Sequence, residues 1–466
     1  LDQLGLAAKA LGGVAKIDAS LEDAAATLDS AYYQVEDVAH RLRDYREQIE
    51  FDPGRLSTVE DRLMLLAGLK RKYGDSIPQV LVYMEEAARE LHALEHREEH
   101  AEELVAREGE LLATLSELGT RLSAARQEAA KGLNESRQNI ADLLGVTAEE
   151  LVFTGSGSES DNYFLKGVAA RAGRGHIITS AVEHPAVMRT GRFLAKNGFE
   201  LTELPVDGQG RVSPDDLKSA VRTDTILTSI MAANNEVGTV QDIAALGAVC
   251  REAGVPFHTD AVQAVGKLPL SLRELPVDFL SASAHKLHGP KGVGLAYLRK
   301  GAKPPFNLIH GGHHERRRRA STENVPGIVG FAKAVQLASE EDYHRQRLLA
   351  LRTKLEEGLE TIPDVTILAR EAERLPNTSN VLFHRLEGES IVMSLDFCGI
   401  AVSTGSACSS GSLEPSHVLL AMGYDHAHAQ GSIRFSLSRY TTEEEIAYTL
   451  EQIPPIIERL RNISAL

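Results

Sequence analysis

The chain has 466 residues, of which 43% are hydrophobic and 25% charged, and this composition is typical of a globular protein of two or three domains. No apolar run approaches the roughly 20 residues needed to cross a bilayer, so we expect a cytoplasmic protein that does not enter a membrane. A formal net charge of -16 argues against broad nucleic-acid binding. The three cysteines, Cys250, Cys398 and Cys408, have no CxxC spacing, which predicts reduced thiols rather than disulfides or a metal site.

The first 131 residues have the pattern of an all-α coiled coil. Apolar residues recur at spacings of three and four over residues 35–49, as in a coiled-coil seam. Ser76 and Gln79 form a predicted capping box that opens a long helix, and a second apolar stripe follows over residues 104–125. The simplest arrangement is an antiparallel helical hairpin with a packing role and no catalytic cluster.

From about residue 149 onward, short apolar strands alternate with amphipathic helices. Five segments run from a β-rich stretch into a polar or glycine-bearing turn: LVFTGSGSES, HIITSAVEHPAV, TILTSIMAANNEVG, VPFHTDAVQAVG and VDFLSASAHKLHG. Repeated strand–turn–helix units predict an α/β fold with a mainly parallel, doubly wound sheet. Since ligands bind beyond the carboxyl ends of parallel strands, we expect these turns to converge on one site.

Each polar residue in these turns has an ordinary structural interpretation beside its functional one. Lys286, at the exit of a strand, is either a surface lysine with its stem packed on apolar groups or an amine with a covalent partner. Asp260 is either a helix N-cap or the partner of a protonated ring nitrogen. His184 is either a polar loop residue or a group that stacks on a ring and moves protons. The loop 155–158 is either a simple turn or a phosphate cradle at the start of a helix.

The set is more specific than its members. A phosphate cradle, a histidine, the pair Asn234 and Asn235, a carboxylate and a lysine follow one another on successive strands, and these are the parts needed to hold pyridoxal 5'-phosphate (PLP). The lysine would form a Schiff base with the aldehyde, and the carboxylate would keep the pyridine nitrogen protonated. The residues therefore predict a PLP enzyme.

Residues from about 135 to 466 resemble the cysteine desulfurases of the NifS/IscS type, which are fold-type I PLP enzymes related to the class V aminotransferases. The matching segments are FTGSGSESDN, VEHPAV, NNEVGTVQDIAALG, HTDAVQAVGKLP, SAHKLHGPKGVG, STGSACSSGSLEPSHVL and SIRFSLSR. The resemblance implies a PLP-binding large domain with a mainly parallel sheet over 132–330 and a smaller α/β C-terminal domain over 331–466, preceded by the all-α region. It also implies a homodimer.

The resemblance assigns a role to individual residues. Lys286 would be the PLP lysine, Cys408 the sulfur-accepting cysteine and His184 the residue that stacks on the ring. The other cofactor contacts would be Gly157, Ser158, Asp260 (to the ring nitrogen), Gln263 (to the ring hydroxyl), Ser283, His285 and, lent to the partner subunit's phosphate, Thr322. Asn235 and Arg434 would bind the substrate carboxylate, a role that suits the two-pronged guanidinium. No metal is implied.

The implied reaction converts L-cysteine to L-alanine and leaves a persulfide on Cys408. The sulfur would then pass to an acceptor protein for iron–sulfur cluster assembly or thiolation. The stretch STGSACSSGSLEPS is rich in serine and glycine, which independently predicts an exposed loop with a reactive thiol, whereas Cys250 and Cys398 have apolar sequence neighbours.

Residues 1–131 resemble the coiled-coil arm of the RecN family of SMC-like DNA-repair ATPases, most clearly over RLRDYREQIEFDPGRLSTVEDRLMLLAGLKRKYG and LSAARQEAAK. The ATPase of that family needs a GxxxxGKS/T loop, which the sequence lacks, so we expect no ATP hydrolysis. The arm stands where the desulfurases carry a further N-terminal segment with an LDxxATTP-like strand. Two alternatives therefore stay open: a non-catalytic or truncated chimera, and a related PLP lyase or aminotransferase that uses another amino acid.

Overall fold

A computed structural model of the protein describes residues 1–48, 52–95, 97–339, 342–405 and 415–463. They divide into two compact units, Leu1–Gly119 and Thr120–Leu466. The predicted boundary at residue 131 lies within a helix that continues into the second unit. Among the described residues, no helix combines the length and apolar character needed to cross a membrane.

The first unit is helical, as the sequence predicts. Its helices are α1 (Asp2–Ala15), α2 (Glu22–Glu47), α3 (Pro53–Tyr73), α4 (Ile77–Glu95) and the first half of α5 (Arg97–Leu144). Helix α1 packs along α2, and α3 packs against α4. The capping box at the start of α4 is confirmed, since the Ser76 backbone N–H donates to Gln79 Oε1 at 3.0 Å and the Gln79 N–H donates to Ser76 Oγ at 3.4 Å.

The two apolar stripes of this unit are exposed in the part of the chain that the structure describes. Val38 and Leu42 on α2 are 54% and 64% exposed, and Leu111 and Leu115 on α5 are 55% and 67% exposed. The structure thus differs from the expected hairpin, in which one stripe would cover the other. A heptad stripe specifies that a helix needs an apolar partner, but it does not specify which helix that partner is.

The second unit contains the expected sheet. Its strands are β1 (Leu151–Thr154), β2 (His176–Ser180), β3 (Glu200–Leu204), β4 (Thr225–Ser229), β5 (Phe257–Asp260), β6 (Phe279–Ser283) and β7 (Gly294–Leu298), in the order β1-β7-β6-β5-β4-β2-β3. Strand β7 is antiparallel to β1 and β6, and the other strand pairs of this sheet are parallel. The connecting helices are α6 (Gly157–Ala172), α7 (Pro185–Lys196), α8 (Pro214–Ala220) and α9 (Ile243–Ala253). The predicted α/β fold with a mainly parallel sheet is confirmed.

A smaller antiparallel sheet follows in the C-terminal part. It contains β8 (Val365–Ile367), β9 (Thr378–Phe383), β10 (Ser403–Thr404) and β11 (Ser432–Ser436), in the order β10-β11-β9-β8. Two helices, α10 (His314–Arg317) and α11 (Val325–Ser339), precede this part, and α11 packs in the core of the large sheet. The helices of the C-terminal part are α12 (Asp342–Leu359), α13 (Gly388–Asp396), α14 (His417–Ala421), α15 (His426–Gln430) and α16 (Glu443–Ile463). A separate apolar core around Leu355, Phe383 and Ile453 holds α12, α13 and α16 on this sheet.

The last turns of α5 pack into the core of the second unit. Ile140 and Leu144 are buried in the core of the large sheet. The Arg137 guanidinium donates to both carboxylate oxygens of Glu315 at 2.7 Å, and the Phe153 backbone N–H donates to the same carboxylate at 3.0 Å. Both charged side chains are less than a tenth exposed, so each relies on the other for compensation of its charge.

Candidate active site

The turns after the parallel strands bring the predicted residues to one edge of the large sheet. Asp260 and Ser283 are the last residues of β5 and β6, and Lys286 lies in the 3₁₀ turn Ala284–Leu287 directly after β6. His184 begins α7 after β2, and Gly157 begins α6 after β1. The expected convergence at the carboxyl ends of the strands is therefore observed.

A buried carboxylate forms the floor of the site. Asp260 is 5% exposed, and its Oδ1 accepts a hydrogen bond from the Val262 backbone N–H at 2.9 Å. Burial raises the pKa of Asp260 to about 6, while the Val262 bond and the positive charge of Lys286 act in the opposite direction. The residues after β5 form a turn and not a helix, so Asp260 is not the helix N-cap that its sequence position also allowed. The Val262 bond uses one carboxylate oxygen, and the buried charge is stabilised by a nearby cation.

His184 is held as a neutral ring. Its Nδ1 accepts a hydrogen bond from the Ala186 backbone N–H at 3.1 Å, so the ring proton is on Nε2. Burial lowers the pKa of His184 to about 4, and the neighbouring positive charge of Lys286 adds to this effect. Together with Asp161 and Asp260, it forms a cluster whose side-chain ligand atoms lie within 4.8 Å of one another. A neutral imidazole fixed at a helix start can stack on a planar ring and exchange a proton through Nε2.

Lys286 lies at the mouth of this cluster. Its side chain is exposed, while the two flanking apolar residues of the turn, Ala284 and Leu287, are buried. The turn is closed by the Gly289 backbone N–H, which donates to the Ala284 carbonyl at 3.0 Å. The charge of Lys286 shifts the pKa values of both Asp260 and His184, as expected for an amine that faces them.

The start of α6 has the geometry of an anion cradle. A Cβ atom at Gly157 would lie 2.5 Å from Val262 Cγ2, so a side chain there would collide with the turn after β5. Ser158 is exposed at the first turn of the helix, where backbone N–H groups have no partner within the helix. Ser283 Oγ and His285 Nδ1 form a hydrogen bond of 2.9 Å.

The donor set fits PLP. A glycine-bearing helix start with nearby hydroxyl and imidazole groups suits a phosphate, a buried carboxylate suits a pyridinium nitrogen, and an exposed lysine beside both suits an aldehyde. Gln263 lies in the turn after β5, and the Lys267 ammonium donates to its Oε1 at 2.7 Å. This bond leaves the Gln263 amide N–H groups as the donors for a ring oxygen.

The proposed substrate residues also meet in the structure. The Arg434 guanidinium on β11 donates to the Asn235 backbone carbonyl at 2.8 Å. Arg434 Nε is buried without a hydrogen-bond partner, which leaves a donor for an anionic ligand. Glu236 lies beside them: burial raises its pKa to about 7, although its hydrogen bond from Ser416 and the charge of Arg434 lower it.

Two predicted residues are not part of this cluster. Thr322 is exposed in the segment before α11, so a role toward a second subunit stays a prediction. Cys408 lies outside the described residues. The chain on either side of it is anchored at Glu236, since Ser416 Oγ donates to Glu236 Oε2 at 2.5 Å and a Cβ atom at Gly405 would lie 3.1 Å from the same oxygen.

Sequence reasoning missed three residues that contact the predicted ones. Lys267 is four residues after Gln263, and this helical spacing was a usable signal. Glu236 follows the two asparagines directly, and Asp161 lies within FTGSGSESDN. No pattern distinguished these two carboxylates from ordinary surface residues, because their burial results from packing between distant segments.

Comparison with known proteins identifies the family. The family described as Aminotransferase class-V matches residues 99–448. The chain belongs to it. Cysteine desulfurase IscS of Methanosarcina thermophila is 51% identical over 337 residues, which are 72% of this chain and 83% of the relative. A solved NifS-like protein has a TM-score of 0.67 and 43% identity and covers 72% of this chain and 89% of its own.

A third match, described as SspA in complex with cysteine, has a TM-score of 0.61 and 35% identity and covers 68% of this chain and 89% of that chain. Within the class V family, the chain is thus a PLP-dependent enzyme of the IscS/NifS cysteine desulfurase type, and the predicted PLP cofactor and fold-type I architecture are confirmed. When bound, PLP supplies an electrophilic aldehyde and an electron-accepting ring.

Proposed function

We propose that this protein removes sulfur from L-cysteine, releases L-alanine and keeps the sulfur as a persulfide on Cys408. The observation that carries the proposal is the convergence of Lys286, Asp260 and His184 at the strand ends. The Arg434 guanidinium, which would bind the substrate carboxylate, is held by its hydrogen bond to the Asn235 carbonyl. The overall reaction is balanced without an external reductant: cysteine and a thiol give alanine and a persulfide. The substrate C–S bond breaks, an S–S bond forms and a proton replaces sulfur on carbon.

The chain's own residues divide the work as follows. The Lys286 amine would hold the cofactor covalently and would act as the base toward the proton on the substrate Cα. Asp260 would provide the negative charge for the ring nitrogen, and His184 would stack on the ring with its Nε2–H available for proton exchange. Gly157, Ser158, Ser283 and His285 would bind the phosphate.

We further propose that the enzyme acts as a homodimer and passes its sulfur to an acceptor protein for iron–sulfur cluster assembly or thiolation. The exposure of Thr322 in the single chain supports the first part, because its proposed role is to bind the phosphate held by a second copy. An accessible persulfide on Cys408 is the chemical group that an acceptor thiol attacks.

The direct test is release of alanine and sulfide from L-cysteine by the purified chain with PLP and a thiol reductant. The Arg434→Lys variant should raise KM about 30-fold, because loss of a two-pronged contact to a partly buried carboxylate costs about 2 kcal/mol. Arg459→Lys, on α16, is the matched control and should leave KM unchanged. Release of pyruvate or transfer of the amino group instead of alanine formation would favour the lyase or aminotransferase alternative.

For the rest of the chain, we propose the division 1–131, 132–330 and 331–466, with the first part a RecN-like coiled-coil arm without ATPase activity. Deletion of residues 1–119 or 1–131 should leave PLP affinity unchanged within about twofold, since the helix residues that enter the core begin later. Deletion of residues 1–144 should prevent folding, because it removes Arg137, Ile140 and Leu144. PLP titration and an ATPase assay are the measurements, and arm-dependent ATP turnover would contradict the proposal.

A further inference from the structure

Four buried polar side chains, those of Ser229, His258, Ser281 and Asp161, lie next to one another in the large sheet and its helices. Ser229 Oγ lies 2.8 Å from His258 Nδ1, and His258 Nε2 lies 3.0 Å from Ser281 Oγ. The Ser281 hydroxyl also lies next to the Asp161 carboxyl group, whose ionised form it favours. All four side chains are essentially inaccessible, and yet Asp161 Oδ1 has no hydrogen-bond partner. A buried, unpartnered carboxyl oxygen requires a physical explanation.

His258 is the central group of this series of hydrogen bonds and is neutral. Burial lowers the pKa of His258 to about 3, so the ring is neutral and has one donor and one acceptor nitrogen. The Ser281 and Ser229 hydroxyls each donate or accept according to the tautomer of the ring, so neutral His258 satisfies both hydrogen bonds. His258 and the two serines are neutral, so they bring no positive charge to Asp161, although His258 Nε2 lies 3.7 Å from Asp161 Oδ1.

The other charged groups around Asp161 make its ionisation unfavourable. Burial raises the pKa of Asp161 well above its ordinary value, and the nearby charges of Asp260 and Glu183 act in the same direction. Glu183 is itself buried, with its pKa raised to about 8 by burial, and His184 is neutral. Asp161 and Asp260 have carboxylate oxygens within 4.8 Å of each other, so the ionisation of one disfavours the ionisation of the other.

Asp260 has more groups that stabilise a negative charge than Asp161 has. Asp260 accepts the Val262 N–H and faces the ammonium of Lys286. Asp161 has the Ser281 hydroxyl and an unpartnered oxygen. We therefore expect the proton on Asp161, while Asp260 stays ionised.

We propose that Asp161 is a positioning residue that stays a neutral carboxylic acid, so that Asp260 is the single anion presented to the pyridinium nitrogen of PLP. A second ionised carboxylate would leave an uncompensated negative charge beside the ring, which is costly because Asp161 is only 1% exposed. The inference rests on the proposed placement of Asp260 opposite the ring nitrogen.

The first test compares the PLP dissociation constants of Asp161→Asn and Asp260→Asn in the full chain, measured by fluorescence titration. Asparagine has the size and the neutrality of a protonated aspartate, so Asp161→Asn should retain PLP affinity within about threefold, while Asp260→Asn should weaken it about 30-fold or more. Equal losses in both variants would overturn the inference and leave the role of Asp260 intact. No loss in Asp260→Asn would instead overturn the placement of Asp260, and the inference with it.

The second test measures the free energy of unfolding of the PLP-free chain against pH. A carboxyl group whose pKa is higher in the folded than in the unfolded state stabilises the fold below its unfolded pKa of about 4, and this stabilisation is lost as pH rises through the folded pKa. Asp161→Asn removes that loss, so its stability relative to the unsubstituted protein should increase from pH 4 to pH 8. A constant difference at all pH values would show a role in packing alone and overturn the proposal.

Discussion

Replacing Lys286 with alanine should abolish covalent retention of PLP and lower desulfurase turnover by about 10³-fold or more, because this amine is both the proposed tether and the proposed general base. The side chain is exposed, so its removal leaves no cavity, and the fold should persist. Visible absorbance of the dialysed protein and peptide mapping after borohydride reduction measure the loss directly.

Two lysines serve as controls for this experiment. Lys291 is exposed and lies past the Gly289-Pro290 turn, so Lys291→Ala should keep the cofactor. Lys267 is the more demanding control, because burial and the charge of Lys286 lower its pKa to about 7 and make it a nucleophilic amine near the site. Its Nζ is engaged by Gln263. A reduced PLP adduct on Lys267 or Lys291 would contradict the assignment of Lys286.

The strand-end residues could be predicted because sequence and topology carry the same information there. A short apolar run fixes a buried strand, its end fixes where the next polar residue lies, and parallel strands share one edge. His184, Asp260 and Lys286 are therefore predicted at one site from the sequence alone. It could not place Asp161 or Glu236, since their burial depends on packing between α6, β5 and β6 or between the two sheets.

The helical region shows the opposite balance of local and long-range information. Its capping box at Ser76 and Gln79 is a local device and is observed as predicted. The apolar stripes on α2 and α5 are equally clear in the sequence, but their burial depends on a partner helix that local spacing does not specify. Apolar residues such as Leu42 and Leu115 are therefore exposed in the structure.

Replacing Cys408 with serine should separate cofactor chemistry from sulfur transfer. The proposed cofactor residues are at the strand ends of the large sheet, whereas the segment that carries Cys408 lies between Gly405 and Pro415. Gly405 and Ser416 both lie against Glu236. Cys408→Ser should therefore keep the PLP absorbance and its change on addition of cysteine. Alanine release should fall by about 10³-fold, since serine is not a sulfur nucleophile at neutral pH.

The other two cysteines provide the contrast for this last experiment. Burial raises the pKa of the Cys250 thiol to about 11, so almost no thiolate exists there at neutral pH, and Cys398 is partly buried at the end of α13. Neither Cys250→Ser nor Cys398→Ser should prevent persulfide formation, because only an accessible thiolate attacks the substrate sulfur. Mass spectrometry after incubation with cysteine locates the added sulfur atom. Its stable presence on Cys250 or Cys398, or full turnover by Cys408→Ser, would refute Cys408 as the sulfur carrier and support a lyase or aminotransferase.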